Sequence, residues 1–486
     1  MIGSSSALSE AGPASILIAY TAIGFIVYLV MCALGEMCAW LPVSPTLTDH
    51  AVRFCHPALG FTLGWMLWLK YAIVTPNQLT AGALVMAYWV DPSAINPAIW
   101  IVFFWAAIIL INYYSLRFIA NFECWVSLFK IIILIGLIIL SLVLALGGGP
   151  NHDRTGFRYW GEPGAFATNS STGGRIFLAI WSAMSSATFS YMGTEVIGLT
   201  VSQGPNTLPR AIRLIFCRIM VFYILTITLL GMVIPYDSQE IAFASRASQT
   251  SAASAFVVAI RIAGIQVLPD FLNACILCFV FSSADYDLYM ATKLLYGLSK
   301  EKKAPLFFMA LDRREVPINA LGVCSLIAAT AFANVSSDTK LVYTYFVNVV
   351  TILGLLTWMS ILMTHISFVR ARTVQKVPDE ALAYKAPFGS AGSHIALALC
   401  GFLSLTKGLD SFKGGFNWVA FTTSYIGIPL FSTLFLLHKT KTSCKSVPPE
   451  QADLWTDKKQ PPPDREKPCS YPRSNRLRNA IAMLRL

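Results

Sequence analysis

Long apolar stretches alternate with short polar loops over most of this sequence. A helix of roughly 20 apolar residues is long enough to cross the hydrocarbon core of a bilayer, which is about 30 Å thick. Windows of this length predict eleven membrane-spanning helices, and no sizeable soluble domain fits between them. The predicted spans are residues 14–38, 58–88, 99–114, 123–146, 176–200, 212–234, 268–296, 318–335, 342–368, 393–410 and 418–437.

The two ends of the chain depart from this pattern. Residues 1–12 are too short and too rich in small side chains for a span, and they lack the basic start and cleavage motif of a signal peptide. We interpret them as the remnant of a further helix, followed by a polytopic domain over residues 13–440. Residues 441–486 turn polar and proline-rich, a composition that cannot bury a core, so they are predicted to be a disordered tail.

Composition and charge support a membrane protein and give its orientation. Of 486 residues, 56% are hydrophobic and 13% charged, against about 25% charged in ordinary soluble domains. Sixteen loop Lys and Arg residues fall on one side and seven on the other, so the first side, with the C-terminal tail, is predicted to be cytosolic. The glycosylation acceptors Asn169 and Asn334 both fall outside. The net charge of +11 then reflects topology and contact with anionic lipid rather than nucleic-acid binding.

One predicted span contains polar chemistry. Residues 189–195 have the sequence Phe-Ser-Tyr-Met-Gly-Thr-Glu. Gly193 tolerates unusual backbone angles and lets a ligand approach the main chain. Irregular backbone at membrane depth survives only where protein or a water-filled cavity surrounds it, and a glutamate there is a functional-site hypothesis by default. The stretch predicts a helix that is interrupted in mid-membrane and handles a polar solute.

Several further passages occur in order along the chain. Together they resemble the fungal amino acid permease branch of the amino acid–polyamine–organocation superfamily, and the resemblance spans most of the sequence. The passages are 34–37 (LGEM), 42–44 (PVS), 57–61 (PALGF), 190–195 (SYMGTE), 209–212 (PRAI), 287–289 (DLY), 295–298 (LYGL) and 385–388 (KAPF).

The resemblance implies a fold and a function. The fold is all-α and integral to the membrane, with two inverted five-helix repeats and two extra C-terminal helices, here eleven full spans plus the remnant of the first. The function is secondary active transport, expected to be proton-coupled uptake of neutral amino acids across the plasma membrane by alternating access. A broken helix offers amide and carbonyl ends to a zwitterion. No enzyme activity, metal or cofactor is expected, because the sequence has no metal-ligand cluster, Ser-His-Asp arrangement or phosphate-binding loop.

By resemblance, the substrate is expected to contact the interrupted span and two further helices. Gly193 has an alternative role in close helix packing, and Phe189 an alternative as a lipid-facing side chain. The predicted substrate contacts are Phe189, Ser190, Tyr191, Met192, Gly193, Gln78 and Tyr286.

Three charged residues are candidates for proton coupling: Glu195, Lys130 and Asp285. Burial shifts the pKa of a membrane carboxylate or ammonium towards the neutral form, so such a group can exchange a proton. The alternative for Glu195 is a fixed hydrogen bond to a neighbouring helix. For Lys130 it is extension of the side chain to the interface.

Departures from the family pattern bear on specificity. Gln78 replaces a glutamate, and Lys70 stands where the family usually has a small residue, so neutral rather than basic substrates are favoured. Gln78 also opposes a polyamine or organocation transporter. The chain begins just after the glycine-rich break of the family's first helix, so we expect either a truncated gene model of a working permease or an inactive truncated permease. One alternative is an amino acid sensor that does not transport.

Overall fold

The computed structural model describes residues 4–41, 46–90, 94–114, 116–150, 152–167, 173–196, 214, 219–238, 254–335, 339–412 and 415–456. Regular secondary structure within these ranges is helical. The α-helices are α1 (Ser4–Ala11), α2 (Pro13–Trp40), α3 (Thr46–Phe54), α4 (Pro57–Met86), α5 (Pro97–Tyr114), α6 (Leu116–Ala145), α7 (Gly173–Tyr191), α8 (Thr226–Val233), α9 (Ala255–Ile262), α10 (Leu268–Lys300), α11 (Ile318–Ala328), α12 (Thr339–Val374), α13 (Gly389–Thr406), α14 (Trp418–Tyr425) and α15 (Gly427–Thr442).

Each of the eleven predicted spans corresponds to apolar helix in the described part of the chain. Seven helices there are long and apolar enough to cross a membrane: α2, α4, α5, α6, α10, α12 and α13. Helices α14 and α15 pass the same test together and are bent by 41°. The remaining three predictions fall on the shorter apolar helices Ile176–Tyr191, Val221–Val233 and Ile318–Ala333. The prediction of an all-helical integral membrane protein is confirmed.

Helix α4 lies at the centre of the bundle. It packs against α10 on one side and α12 on another, and 72% of its apolar span is buried, against 22% in α5 and α6. Gly64 allows the close approach of α10, because a Cβ there would lie 2.6 Å from Leu298 Cδ2. Small residues serve this purpose widely between membrane helices. Side chains on the middle of α4 are therefore enclosed by protein rather than lipid.

The first helix is short and separate from the second. Gly12 stands between α1 and α2 with a φ of +80°, and a Cβ there would lie 2.5 Å from the Ala167 amide nitrogen. The chain passes this close because the Ala167 N–H donates to the Ala11 carbonyl oxygen at 3.2 Å and the Ala14 N–H to the Ala165 carbonyl oxygen at 2.9 Å. The segment interpreted as a helix remnant is thus a single helix, α1, that ends at this glycine.

A buried charged cluster joins the last turn of α2 to α12. The Glu36 carboxylate accepts the Ala386 N–H at 2.8 Å, lies 3.3 Å from His365 Nε2 and forms an ion pair with Arg372 at 3.3 Å. Glu36 and His365 are fully buried. Because desolvated charges need partners, the cluster fixes the two helix ends and the loop before α13 relative to each other.

The chain after α15 also packs against helix ends. We call residues 447–456 the C-terminal strap. Its Leu454 is fully buried, and the Leu454 carbonyl oxygen accepts a hydrogen bond from Trp40 Nε1 at 2.8 Å. Gln375 Nε2 donates to the Ala452 carbonyl oxygen at 2.8 Å, and Arg53 donates to that of Thr456 at 3.0 Å. Composition predicts a disordered tail from residue 441, whereas residues 447–456 pack against helix ends. The mean polarity of the tail does not reveal single buried residues such as Leu454.

Some sequence predictions concern residues that the structure does not describe. They are the glycosylation acceptor Asn169, the passages at 42–44 and 209–212, and the last part of the tail, residues 457–486.

Candidate functional site

Helix α7 ends abruptly inside the bundle. It stops at Tyr191 and continues as a turn over residues 192–195. Gly193 has a φ of +97°, and a Cβ there would meet nothing within 4 Å. The backbone angle, not lack of space, is therefore what requires glycine, since side-chain-bearing residues rarely adopt it. The helix ends within the stretch where the sequence predicts an interruption.

The carboxylate at the end of this turn, that of Glu195, is paired with a lysine on α4. Lys70 Nζ donates to Glu195 Oε1, and the side chains are 1% and 0% exposed. The other oxygen, Oε2, accepts the Gly193 N–H at 3.2 Å and lies 3.4 Å from Trp358 Nε1. Both oxygens of the carboxylate thus have donors. We call Lys70 and Glu195 the buried pair.

The buried pair lies deep in the bundle. Lys70 is about midway along α4 and Trp358 about midway along α12. A charge at this depth of a membrane is costly and normally marks a functional pathway. Removing one partner of such a pair leaves the other unpaired and buried, so each charge depends on the other.

Further polar groups surround Lys70. The Tyr71 ring centroid lies 4.6 Å from the Lys70 ammonium, and the Tyr71 hydroxyl has no hydrogen-bond partner among the described residues. Asp287 on α10 interacts electrostatically with Lys70, and its side chain interacts with that of Gln78. Tyr286, also on α10, lies close enough to Tyr71 for their ionised forms to repel each other. Of the predicted substrate contacts, Gln78 and Tyr286 are therefore linked to Lys70 only indirectly, through Asp287 and Tyr71.

The carbonyls at the end of α7 have protein partners in this conformation. The Phe189 carbonyl oxygen accepts the Met192 N–H at 3.1 Å, and that of Ser190 accepts the hydroxyl of Tyr223 at 3.0 Å. The Tyr191 side chain is buried, and its hydroxyl donates to the Tyr20 carbonyl oxygen at 3.1 Å. A substrate ammonium is predicted to bind carbonyls at this interruption, and in this state those of Phe189 and Ser190 each already accept one hydrogen bond from the protein.

The other two coupling candidates lie in a separate polar group between α5, α6 and α10. Lys130 Nζ is 3.2 Å from Ser282 Oγ and 3.5 Å from Glu123 Oε1. Asp285 Oδ1 accepts from Asn112 Nδ2 at 2.8 Å. The structure therefore does not bring Lys130 and Asp285 into contact with Glu195. The two groups are related through α10, because Asp287 interacts electrostatically with Lys70 and with Lys130.

Sequence reasoning missed part of this site. Trp358 gave no signal, since a tryptophan in a span can equally face lipid. Tyr71 was also unremarkable next to an apolar run. Lys70 was noted as a departure from the family pattern, but its pairing with Glu195, 125 positions away, depends on the relative rotation of two helices.

Comparison with known proteins finds one matching family and several fungal relatives. The family described as "Amino acid permease" matches residues 1–447. The dicarboxylic amino acid permease of Saccharomyces cerevisiae is 41% identical over 465 residues, which cover 94% of this chain and 76% of that protein. An uncharacterized amino-acid permease of Schizosaccharomyces pombe is 37% identical, over 93% of this chain and 87% of that protein. The lysine-specific permease of S. cerevisiae is 32% identical, over 94% and 75%.

Proposed function

Because this chain belongs to the amino acid permease family, we propose that it takes up amino acids together with protons across the plasma membrane, by alternating access around the buried pair. Its fungal relatives are transporters and not enzymes, and amino acid transport is the activity that the site has to explain. The observation that carries the proposal is a fully buried Lys70–Glu195 pair beside the interruption of α7.

The interruption supplies the main-chain part of the proposed binding site. A helix that ends in mid-membrane presents unpaired peptide groups, which suit the ammonium and carboxylate of an amino acid. The carbonyls of Phe189 and Ser190 each accept one hydrogen bond, from Met192 and Tyr223. A carbonyl oxygen can accept two, so a substrate ammonium can share these oxygens or replace their present donors, and we place the conformational change between the two access states at these contacts.

Glu195 is the proposed proton carrier. Its protonation removes the charge that holds Lys70, so the buried pair exists in two forms that differ in how tightly α4 and the turn after α7 are joined. Lys130 and Asp285 remain secondary candidates, since they lie near the middle of their helices but have partners of their own.

Neutral amino acids are the proposed substrates. A cationic side chain would meet Lys70 and finds Gln78 where the family usually has a glutamate. A second candidate class is dicarboxylic amino acids. Two observations favour it: the buried ammonium of Lys70, and the 41% identity to a permease named for such substrates.

Uptake by the purified protein in proteoliposomes tests the proposal. Radiolabelled amino acids are supplied with and without an inward proton gradient, and each standard amino acid is then used as a competitor. We expect faster uptake with the gradient and loss of that gain with a protonophore. Uptake at the same rate with and without the gradient would contradict proton coupling. Binding of amino acids without any transport would favour the alternative of an amino acid sensor.

A further inference from the structure

We propose that Lys70 recognises the side-chain carboxylate of a dicarboxylic amino acid, and that a proton taken up by Glu195 releases Lys70 for this purpose. The inference rests on the second substrate class proposed above, the dicarboxylic amino acids. It names the residue that binds their side-chain carboxylate and the proton that compensates its charge. In this scheme Glu195 and the substrate compete for one ammonium.

The position of Lys70 fits this role. It lies midway along the central helix α4, and its partner Glu195 is two residues beyond Gly193, at the proposed site for the substrate main chain. An ammonium has three donors, of which Lys70 gives one to Glu195. A substrate carboxylate one side-chain length from the interruption can therefore reach the same ammonium.

Tyr71 provides a second donor at the same place. Its side chain is 2% exposed, its ring lies 4.6 Å from the Lys70 ammonium, and its hydroxyl has no partner among the residues that the structure describes. A buried hydroxyl without a partner is unfavourable, and accepting groups are normally found for it. A carboxylate bound to Lys70 supplies such an acceptor.

Charge balance explains why a proton is needed. The buried pair is neutral as a unit, so a substrate carboxylate would add an uncompensated negative charge in mid-membrane, which is costly. When a proton from water binds one Glu195 oxygen, that carboxyl becomes neutral and Lys70 pairs with the substrate instead. Binding of a side-chain carboxylate therefore requires the proton on Glu195, whereas a neutral substrate does not use Lys70 and depends on that proton only through the transport cycle.

Other titratable groups face the buried pair and have to be separated from Glu195. Tyr71 lies on α4, and Asp287 and Tyr286 lie on α10; among these, Asp287 is the competing acid. From α6, Glu123 and Lys130 interact electrostatically with Asp287. Helix α12 contributes Trp358, which does not titrate in this range. The variant Asp287→Asn therefore accompanies those of the buried pair.

The test measures uptake of labelled glutamate and labelled leucine in proteoliposomes as the external pH is lowered. In wild type, we expect glutamate uptake to rise more steeply than leucine uptake. In Glu195→Gln, Lys70 is released at every pH, so glutamate uptake should lose its pH dependence. In Asp287→Asn that dependence should persist.

The double variant Lys70→Met with Glu195→Gln removes both charges of the buried pair together. We expect its glutamate-to-leucine uptake ratio to fall about tenfold or more, since a charged hydrogen bond is lost. Lys293→Met, at an exposed lysine of α10, is the matched control and should keep the wild-type ratio.

Three results would overturn the inference: an unchanged ratio in the double variant, an unchanged pH dependence in Glu195→Gln, or wild-type uptake of leucine without glutamate. The last would leave the proposed function intact. If the wild-type protein took up no amino acid at all, both the proposed function and this inference would be rejected.

Discussion

At the scale of single residues, Gly193 sets the backbone path on which the site depends. Its φ of +97° is rare for residues with a side chain, although a Cβ would meet nothing within 4 Å. We expect Gly193→Ala to destabilise the protein by about 1–2 kcal/mol, the usual cost of a left-handed conformation, and to reduce uptake because the turn can no longer hold Glu195 against Lys70. Thermal unfolding in detergent and proteoliposome uptake measure the two effects.

Gly136 offers a matched control. It lies inside α6, is exposed, and a Cβ there would also meet nothing within 4 Å. Gly136→Ala should leave uptake unchanged and stabilise the helix by roughly 0.5–1 kcal/mol. If both alanine variants behaved alike, the backbone angle of Gly193 would have no special role.

Single residues also show how far the site could be predicted from the sequence. Glu195 and Gly193 could be identified because a carboxylate and a flexible backbone are conspicuous in an apolar span. The partner of Glu195 could not, because Lys70 meets it only through the packing of α4 against the turn after α7. The aromatic groups Tyr71 and Trp358 were missed for the same reason, since composition does not say which side of a membrane helix faces protein.

At the scale of secondary-structure elements, the spans were predictable because lipid requires each of them to be apolar and helical on its own. The interruption of one span was predictable too, since α7 stops at Tyr191, within the polar stretch at 189–195. The C-terminal strap differs most, because its burial depends on Trp40, Arg53 and Gln375 at the ends of distant elements.

The strap is expected to contribute to stability. Leu454 is fully buried, so Leu454→Ala should destabilise the protein by about 2–5 kcal/mol, as for other buried leucines. Thermal unfolding of the purified protein measures this. Glu450→Ala, at an exposed position of the same segment, should have little effect, and equal midpoints for the two variants would mean that the strap does not hold the helix ends.

At the scale of the whole molecule, loop charge predicts the orientation. Since loops rich in Lys and Arg stay cytosolic, an epitope tag after Leu486 should bind antibody only in permeabilised cells. A tag inserted at Asp153, whose side chain is 58% exposed, should bind antibody in intact cells. Labelling in the opposite pattern would reverse the orientation of the proposed transport cycle.

The bundle as a whole places one buried ion pair where three central elements meet: α4, α12 and the turn after α7. The proposed cycle depends on that pair opening when Glu195 takes up a proton. Proton movement during transport is therefore more informative than uptake alone.

The most direct measurement is substrate-driven acidification inside proteoliposomes that contain a pH-sensitive dye. Adding a neutral amino acid outside should acidify the lumen with the wild-type protein. With Glu195→Gln, the amino acid should still exchange across the membrane while the lumen pH stays constant. Equal acidification by both proteins would contradict the assignment of the proton to the Lys70–Glu195 pair.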